Sequence, residues 1–547
     1  MKFKKIISLL ACTISLASLC SCDKNNQTSG EGAGTGGGTQ QTSKREIKDI
    51  EIVDDKYRNY YEIFVRSFND TNGDGIGDLK GVTAKLDYIK EMGYNGIWLM
   101  PITKGNSYHG YDVVDYYDVE PNYGTLADYD ELIAKAHEKG IKVIIDLVVN
   151  HSSSQNPWFK SATKYIQDNG QPGGQYADYY TFAEQPFAGY SEVSNTFYYY
   201  ESRFGYDMPD LNLDSQNVRN EIKNILKFWL DRGSDGFRLD AVTYYYTDYV
   251  DKNVEFLSWL NTEAKKINPN AYIVGEAWIN DNMSIKEYYK SGIDSFFIFP
   301  LATGEGMINQ CLNMISQKNG KTLGEHLNTL KRVYGTYVMA PFLANHDTSR
   351  VANFGVTAEK TCMEYGLLSL MTGNTFTYYG DEIGMLGAKK DNRDEPIRLP
   401  ILWSEKDKDG YCTYSPGNAS PTDRTYSFGS VASQKADNNS ILNYYKYANY
   451  IRNKNPEIAR GETVVLQEGY TSESLNICVF QRLYGGKKIT IVVNLDPDFT
   501  REVVLDKSAL GYQSMTDYLC VNYDDEAKLD DSTNTLTIPA YSYVILR

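Results

Sequence analysis

A chain of 547 residues with 41% hydrophobic content is long enough for a barrel-sized domain with one or two additions, and apolar enough to bury their cores. Its formal net charge of −16 argues against nucleic acid or an anionic membrane surface as an electrostatic partner.

The N-terminus reads as a targeting segment. Lys2, Lys4 and Lys5 precede an apolar run over residues 6–19, and Leu19-Cys20-Ser21-Cys22 follows. That pattern resembles a bacterial lipobox. Cys22 suits the lipidated position because Ser21 is small and Leu19 stands three residues before it. The expectation is a lipoprotein signal over residues 1–22, with the protein exported and lipid-anchored to a bacterial membrane, at the outer membrane or cell surface. An ordinary secretory signal is the plainer alternative. Residues 23–45 are rich in Gly, Ser, Thr, Gln and Asn and predict a flexible tether. The five cysteines beyond it are widely spaced without a CxxC pair, so neither a disulfide framework nor a zinc site is implied.

A first strand is predicted over residues 60–68. In the following loop Asp70, Asn72, Asp74 and Asp78 put side-chain oxygens at alternate positions, with Gly73 allowing a turn. The spacing predicts a structural Ca²⁺ held by Asp70, Asn72, Asp74, Asp78 and the carbonyl of Ile76. The loop has no glutamate at its twelfth position, so it is not an EF-hand, and a metal-free polar turn is the alternative. A helix over 83–92 and a strand over 96–101 come next. His109, Tyr111 and Asp112 then share a loop. A helix over 126–139 stops at Gly140, and a strand over 141–149 runs into Asn150-His151.

Residues 152–207, rich in Gly, Pro, Asn and Tyr, break the strand–helix rhythm. They predict an irregular insertion domain walling one side of a cleft. The rhythm resumes with a helix over 217–231 and then Gly236-Phe237-Arg238-Leu239-Asp240-Ala241. Arg238 and Asp240 stand two apart on a predicted strand and so share a face. Buried there they must be paired or used, and a structural ion pair is the bland reading. Further strands are predicted over 272–276, ending in Glu276, over 293–299, over 338–343, leading to Asn345-His346-Asp347, and over 375–379. Helices over 254–266, 324–333, 358–371 and 440–454 alternate with them. The pattern predicts a (β/α)₈ TIM barrel over residues 46–151 and 208–456, with carboxylates at the C-terminal ends of its strands. From residue 457 the period changes to two. Strands over 463–467, 476–483, 488–494, 501–505 and 541–546 predict a C-terminal antiparallel β-sandwich, residues 457–547.

Residues 146–151 (DLVVNH), 236–240 (GFRLD), 274–276 (VGE) and 345–347 (NHD), in this order, resemble glycoside hydrolase family 13, the α-amylase family, with likeness from residue 57 to the end. Three of the chain's five histidines, His109, His151 and His346, fall in these motifs or beside Tyr111 and Asp112. The resemblance implies Asp240 as nucleophile, Glu276 as general acid and then base, and Asp347 as the residue that binds ring hydroxyls and stabilises the oxocarbenium-like transition state. His109, Tyr111, Asp112, His151, Arg238 and His346 are implied around the substrate, with Asp146 supporting Arg238. The chemistry of the residue types agrees. Arg238 should keep Asp240 ionised, and the apolar surface of Ala277 and Trp278 should raise Glu276 toward an acid at neutral pH.

Met208-Pro209-Asp210-Leu211-Asn212 resembles the subgroup between oligo-1,6-glucosidases and neopullulanases, which includes bacterial lipoprotein α-amylases, and Ala241 resembles enzymes of α-1,4 linkages. Thr243-Tyr244 departs from a Lys-His pair whose lysine contacts glucose beyond the cleavage point and whose histidine helps bind an interdomain calcium. Tyr244, Tyr245 and Tyr246 offer stacking instead. The resemblance therefore implies a retaining endo-acting α-amylase on starch and maltooligosaccharides. A neopullulanase, α-glucosidase or 4-α-glucanotransferase on the same scaffold, and a non-catalytic glucan-binding lipoprotein, are the alternatives. A surface glucan-uptake complex is a further possible partner.

Overall fold

The computed structural model describes residue 45 and residues 47–547 other than 303, 314, 356, 391, 392, 414, 415, 418 and 423. The signal, Cys22 included, and the tether up to residue 44 lie outside the described residues. No helix among the described residues is long and apolar enough to cross a membrane.

Within the unit Ile47–Arg547, eight short strands form one parallel sheet: β1 (Asn59–Ile63), β2 (Gly96–Leu99), β3 (Lys142–Leu147), β4 (Gly236–Leu239), β5 (Tyr272–Gly275), β6 (Ser295–Phe297), β7 (Val338–Ala340) and β8 (Thr375–Tyr378). Their order is β7-β6-β5-β4-β3-β2-β1-β8. The ends meet: the amides of Asn374 and Phe376 donate to the carbonyls of Met339 (2.8 Å) and Pro341 (2.9 Å). The sheet thus closes into a barrel with helices outside. Four of these helices begin on the side-chain caps Thr125, Ser215, Thr357 and Ser440. The helix Gln216–Asp231 shows why they lie against the barrel. Val218, Ile222, Ile225, Leu226 and Trp229 recur at helical spacing and are buried, each worth roughly 1.5–3 kcal/mol of transfer free energy.

Alternation along the strands fills the barrel in layers. Tyr60, Trp98, Ile144, Tyr272, Phe297 and Phe376 form an apolar plug, with Tyr60 stacked on Tyr272 and Phe376 at 5.3 and 4.7 Å. Two residues further on, the inward positions become charged: Glu62 after Tyr60, Asp146 after Ile144, and Arg238 after Gly236. Gly236 is required, because a Cβ there would lie 1.8 Å from the carbonyl oxygen of Tyr272.

Several predicted elements are shorter or shifted. β1 stops at Ile63, and Val65–Ser67 is a 3-10 turn rather than strand; the barrel wall needs only four or five residues at about 3.3 Å each. The helix predicted over 83–92 begins at Leu79, capped by Asp78, and breaks at Lys85 into Leu79–Ala84 and Leu86–Glu91. The segment 152–207 is more regular than predicted. It holds the helix Pro157–Asn169 and an antiparallel sheet of Phe182–Ala183, Tyr190–Glu192 and Tyr199–Glu201. Phe159, Ala162 and Ile166 on one helical face were the overlooked signal.

The C-terminal part contains a five-stranded and a four-stranded antiparallel sheet. Ile477, Val479, Val492 and Val544 of one share a core with Val503, Leu505, Leu536 and Ile538 of the other, which makes a sandwich. Four strands went unpredicted: Tyr470–Thr471, Met515–Cys520, Lys528–Asp530 and Thr535–Ile538. Their alternation is short or interrupted.

Candidate active site

Asp240 directly follows β4, Glu276 directly follows β5, and Asp347 lies in the loop after β7. All three therefore stand at the C-terminal mouth of the barrel, where they line a cleft of ≈ 740 Å³ with His109, Tyr111 and His151. The charged layer beneath holds them. Arg238, fully buried, bonds through Nη1 to Asp146 Oδ1 and Asp240 Oδ1, both at 2.8 Å, and through Nη2 to Glu276 Oε2 at 2.9 Å. Its guanidinium lies over the Trp98 ring at 5.2 Å. One cation thus gathers three carboxylates from three strands, which no side chain in water could do without losing most of the energy to solvent.

Glu276 has an asymmetric environment. Oε2 accepts from Arg238 and from the amide of Ala241 at 3.1 Å. That amide is turned toward it by a left-handed backbone at Ala241, φ 49°, a conformation a non-glycine residue seldom adopts. Oε1 is buried without a partner among the described residues. Burial pushes Glu276 up to about 7, against the opposing pull of Arg238. The free oxygen is therefore the one that carries a proton near neutral pH. Burial likewise raises Asp146 to about 6.

The other half of the site is a charge chain. His346 Nδ1 donates to Glu62 Oε1 at 2.6 Å; Nε2 faces the Tyr111 hydroxyl at 2.6 Å and Asp347 Oδ2 at 3.0 Å. Burial alone would lower the imidazole, but Asp347 and Glu62 outweigh it and raise His346 to about 10. It is an imidazolium with donors on both ring nitrogens. Desolvation works to raise Asp347 as well, yet His346 and Arg398 hold it well below the usual carboxylate range. Arg398 Nη2 meets Asp347 Oδ1 at 2.6 Å, and its Nε donates to the His346 carbonyl at 2.9 Å. Tyr111 ties the two halves together by donating to Asp146 Oδ2 at 3.0 Å.

A buried acid with a free oxygen beside a second carboxylate at a barrel mouth is glycosidase geometry, and likeness to known proteins agrees. The family description "Alpha amylase, catalytic domain" matches residues 62–461. The chain belongs to the α-amylase family. It is a glycosidase of that family, with the (β/α)₈ barrel and C-terminal antiparallel sheets described above. Alpha-amylase 3 of Dictyoglomus thermophilum is 40% identical over 461 residues, 80% of this chain and 85% of that one. A 4-alpha-glucanotransferase of Thermotoga neapolitana is 31% identical over 449 residues, 80% and 95% of the two chains. The solved structure of Eubacterium rectale Amy13B superposes with a TM-score of 0.84 at 41% identity, covering 91% of this chain and 96% of that one.

The α-amylase family site places the predicted residues at different depths. His109 and His151 line the cleft; His109 Nδ1 accepts from the Tyr111 amide at 3.1 Å, and His151 Nε2 faces the Tyr111 carbonyl at 3.1 Å. Arg238 and His346 lie beneath the cleft floor and act through the carboxylates they hold. Asp112 is buried and accepts from the Ser107 amide at 3.1 Å, bracing its own loop. Sequence reasoning missed Glu62, Arg398 and Phe204. Glu62 was legible as a lone acid at an inward position of an apolar strand. Arg398 sits 51 residues beyond Asp347, so nothing local paired them. Phe204 lies in the insertion, and its ring packs at a tilt against Tyr244 and His151, with centroids 4.8 and 5.2 Å away.

The 70–78 loop has oxygen donors of the hard type that calcium takes. Asp70 Oδ1 accepts the amide of Gly73 (2.7 Å) and Oδ2 that of Gly75 (2.7 Å), and Asp74 Oδ1 accepts that of Ile76 (2.8 Å). Asp70 Oδ1 also takes the Asn72 amide (3.1 Å), whereas Asp70 Oδ2 and Asp74 Oδ1 each keep a second lone pair for a cation. Asp78 Oδ1 caps the following helix at the Gly81 amide, 2.7 Å, and its carboxylate also takes the Thr71 hydroxyl and amide. Among the described residues no three His, Cys, Asp or Glu side chains gather closely enough to hold a metal ion. The residues that would hold calcium are Asp70, Asn72, Asp74, Asp78 and the Ile76 carbonyl, and Asp78 is at present engaged by Thr71 and Gly81.

Proposed function

We propose that the chain is a retaining, endo-acting α-amylase that hydrolyses α-1,4-glucosidic bonds in starch and maltooligosaccharides. The observation that carries this reading is the pairing of Asp240 and Glu276 on one guanidinium, with Glu276 Oε1 free. Two carboxyls sharing one cation belong with the close spacing, about 5 Å, of retaining enzymes rather than the ~6.5–9.5 Å that inverting enzymes need for a water. Asp240 attacks the anomeric carbon as Glu276 Oε1 protonates the leaving oxygen, giving a covalent glycosyl-enzyme. Glu276, now a carboxylate, takes a proton from a water whose oxygen attacks the anomeric carbon and displaces the Asp240 carboxylate, which releases the sugar with its α configuration kept. Asp347, held ionised, accepts from ring hydroxyls and faces the positive charge that develops on the ring. The test is product length by chromatography and anomeric configuration by NMR on amylose. Mixed short α-anomeric products are expected. Glucose or maltose alone would replace the endo reading, and β-anomers would remove the retaining one.

A transferase is the second reading. It is favoured by the relative named 4-alpha-glucanotransferase and by the exposed aromatic residues of the cleft, Phe204, Tyr244, Tyr249 and Trp278, which suit a sugar acceptor in place of water. Products longer than the starting maltooligosaccharide decide for it.

Calcium at the 70–78 loop belongs to the same proposal, as a structural ion. Millimolar Ca²⁺ should raise the melting temperature of the chelator-treated protein, and Asp70→Ala should abolish the rise. An equal rise in Asp70→Ala places the ion elsewhere. We read the protein further as exported and anchored through Cys22, near a surface complex that takes up maltooligosaccharides. Labelled-palmitate incorporation that survives Cys22→Ala would remove the anchor.

A further inference from the structure

The cleft is rich in acids, and among the described residues that line it the permanent cations are Lys389 and Arg398. Arg398 is committed. Its side chain is 3% exposed, with Nη2 on Asp347 and Asp394 at 2.6 and 3.1 Å and Nε on the His346 carbonyl at 2.9 Å. Lys389 differs. It lies in the loop that follows β8, its side chain is 33% exposed, and the catalytic steps above make no use of it.

Its ammonium is nevertheless held in place. Nζ pairs with Asp394 Oδ1 at 2.8 Å and donates to the Asp347 carbonyl at 3.3 Å. The Lys389 amide donates to the Ser349 hydroxyl at 3.0 Å, which anchors the base of the side chain. An ammonium has three N–H donors, so one is left for a ligand. The same ammonium lies over the Trp278 ring, 5.9 Å from its centroid. Trp278 is 46% exposed and is stacked on Phe299 at 5.0 Å and 24°. That stacking braces an indole at the cleft, with a surface as apolar as the face of a pyranose. Trp278 follows the acid Glu276 by two residues, so a sugar ring against it belongs to the leaving-group side of the cleaved bond. Such a ring would present its hydroxylated edge to the Lys389 ammonium.

We propose that Lys389 is a specificity-determining residue of the leaving-group side: its ammonium donates to a hydroxyl of the sugar held against Trp278, and so selects substrates and acceptors that extend past the cleaved bond. Asp394 keeps the ammonium at that position and is itself tied to Asp347 through Arg398. Water offers no ring to hold, so the contact favours a sugar over water as the group that meets the glycosyl-enzyme. The identity of the sugar rests on the α-glucan reading above.

The test compares two substrates on the full-length protein. Maltotetraose places sugars on both sides of the cleaved bond; α-maltosyl fluoride places only fluoride on the leaving side. Lys389→Met keeps most of the stem and removes the charge. It should lower the ratio of the two kcat/KM values, maltotetraose over fluoride, roughly tenfold. Lys389→Arg keeps a cation and should restore most of the ratio. Trp278→Ala should lower the same ratio, and in that background Lys389→Met should have a smaller effect, because both side chains contact one ring. An unchanged ratio in Lys389→Met overturns the proposal, whether both substrates keep wild-type rates or both slow together. Slowing of both would assign Lys389 to the support of Asp394 and Asp347 instead. Wild-type protein that turns over neither substrate overturns the α-glucan reading with it.

Discussion

Glu276→Gln should lower kcat/KM on maltooligosaccharides by about 10²–10⁴-fold, and it should remove the high-pH limb of the rate profile. Glu276 is raised to about 7 by burial, and the acid works only when protonated. Wild-type activity is therefore present below pH 7 and falls as pH rises through that value. Glutamine carries no such titration, so the residual activity of the variant should be flat across the same range. An α-maltosyl fluoride, whose leaving group needs no proton, should form the glycosyl-enzyme nearly as fast in the variant as in the wild type. The water-activating base is missing as well, so the intermediate should accumulate until azide is supplied. Persistence of the limb above pH 7 in Glu276→Gln would assign the acid to another group. Asp146, raised to about 6 and bonded on one oxygen to Arg238 and on the other to Tyr111, is the group to examine next.

Arg238→Met should cost the protein stability as well as activity. It keeps much of the side-chain volume but leaves Asp146, Asp240 and Glu276 around a buried position without their shared cation. Breaking one buried pair by removing a partner costs about 3–5 kcal/mol, and three carboxylates depend on this one. The loss should depend on pH in a defined direction. Asp146 and Glu276 stand at about 6 and 7 even with Arg238 opposing burial, above the unfolded values of roughly 4. Without Arg238 both rise further. Between pH 4 and those raised values the native state binds more protons than the unfolded chain, so stability falls as pH rises. The melting temperature of Arg238→Met should therefore drop more steeply than that of the wild type between pH 5 and pH 8. Parallel curves would mean that the three carboxylates are held by something other than the guanidinium.

The two halves of the site divide the work electrostatically. Around Arg238 one cation serves three acids, and burial leaves Glu276 able to hold a proton. Around His346 two cations, the imidazolium and Arg398, serve Asp347 and hold it ionised. Two carboxyls in one cleft thus take opposite states because their neighbours differ.

Much of the barrel was legible from the chain alone, because apolar strand runs and helical periodicity are local properties. The Arg238–Asp240 face followed from the period of two, and Glu276 and Asp347 from their place at the ends of apolar runs. The order of the motifs was enough to point to the family. Strand ends were not legible, since a residue leaves the sheet when its neighbour's ladder ends, as at Ile63 and Ala340, and that is a property of the partner strand. The tertiary structure alone decided that Glu62 and Arg398 bracket His346 and Asp347, across 284 and 51 residues of chain. It also decided which oxygen of Glu276 is free. Both depend on distances and desolvation that arise only once the barrel has closed. The composition of a strand names its charged residues; burial and long-range pairing set what those charges do.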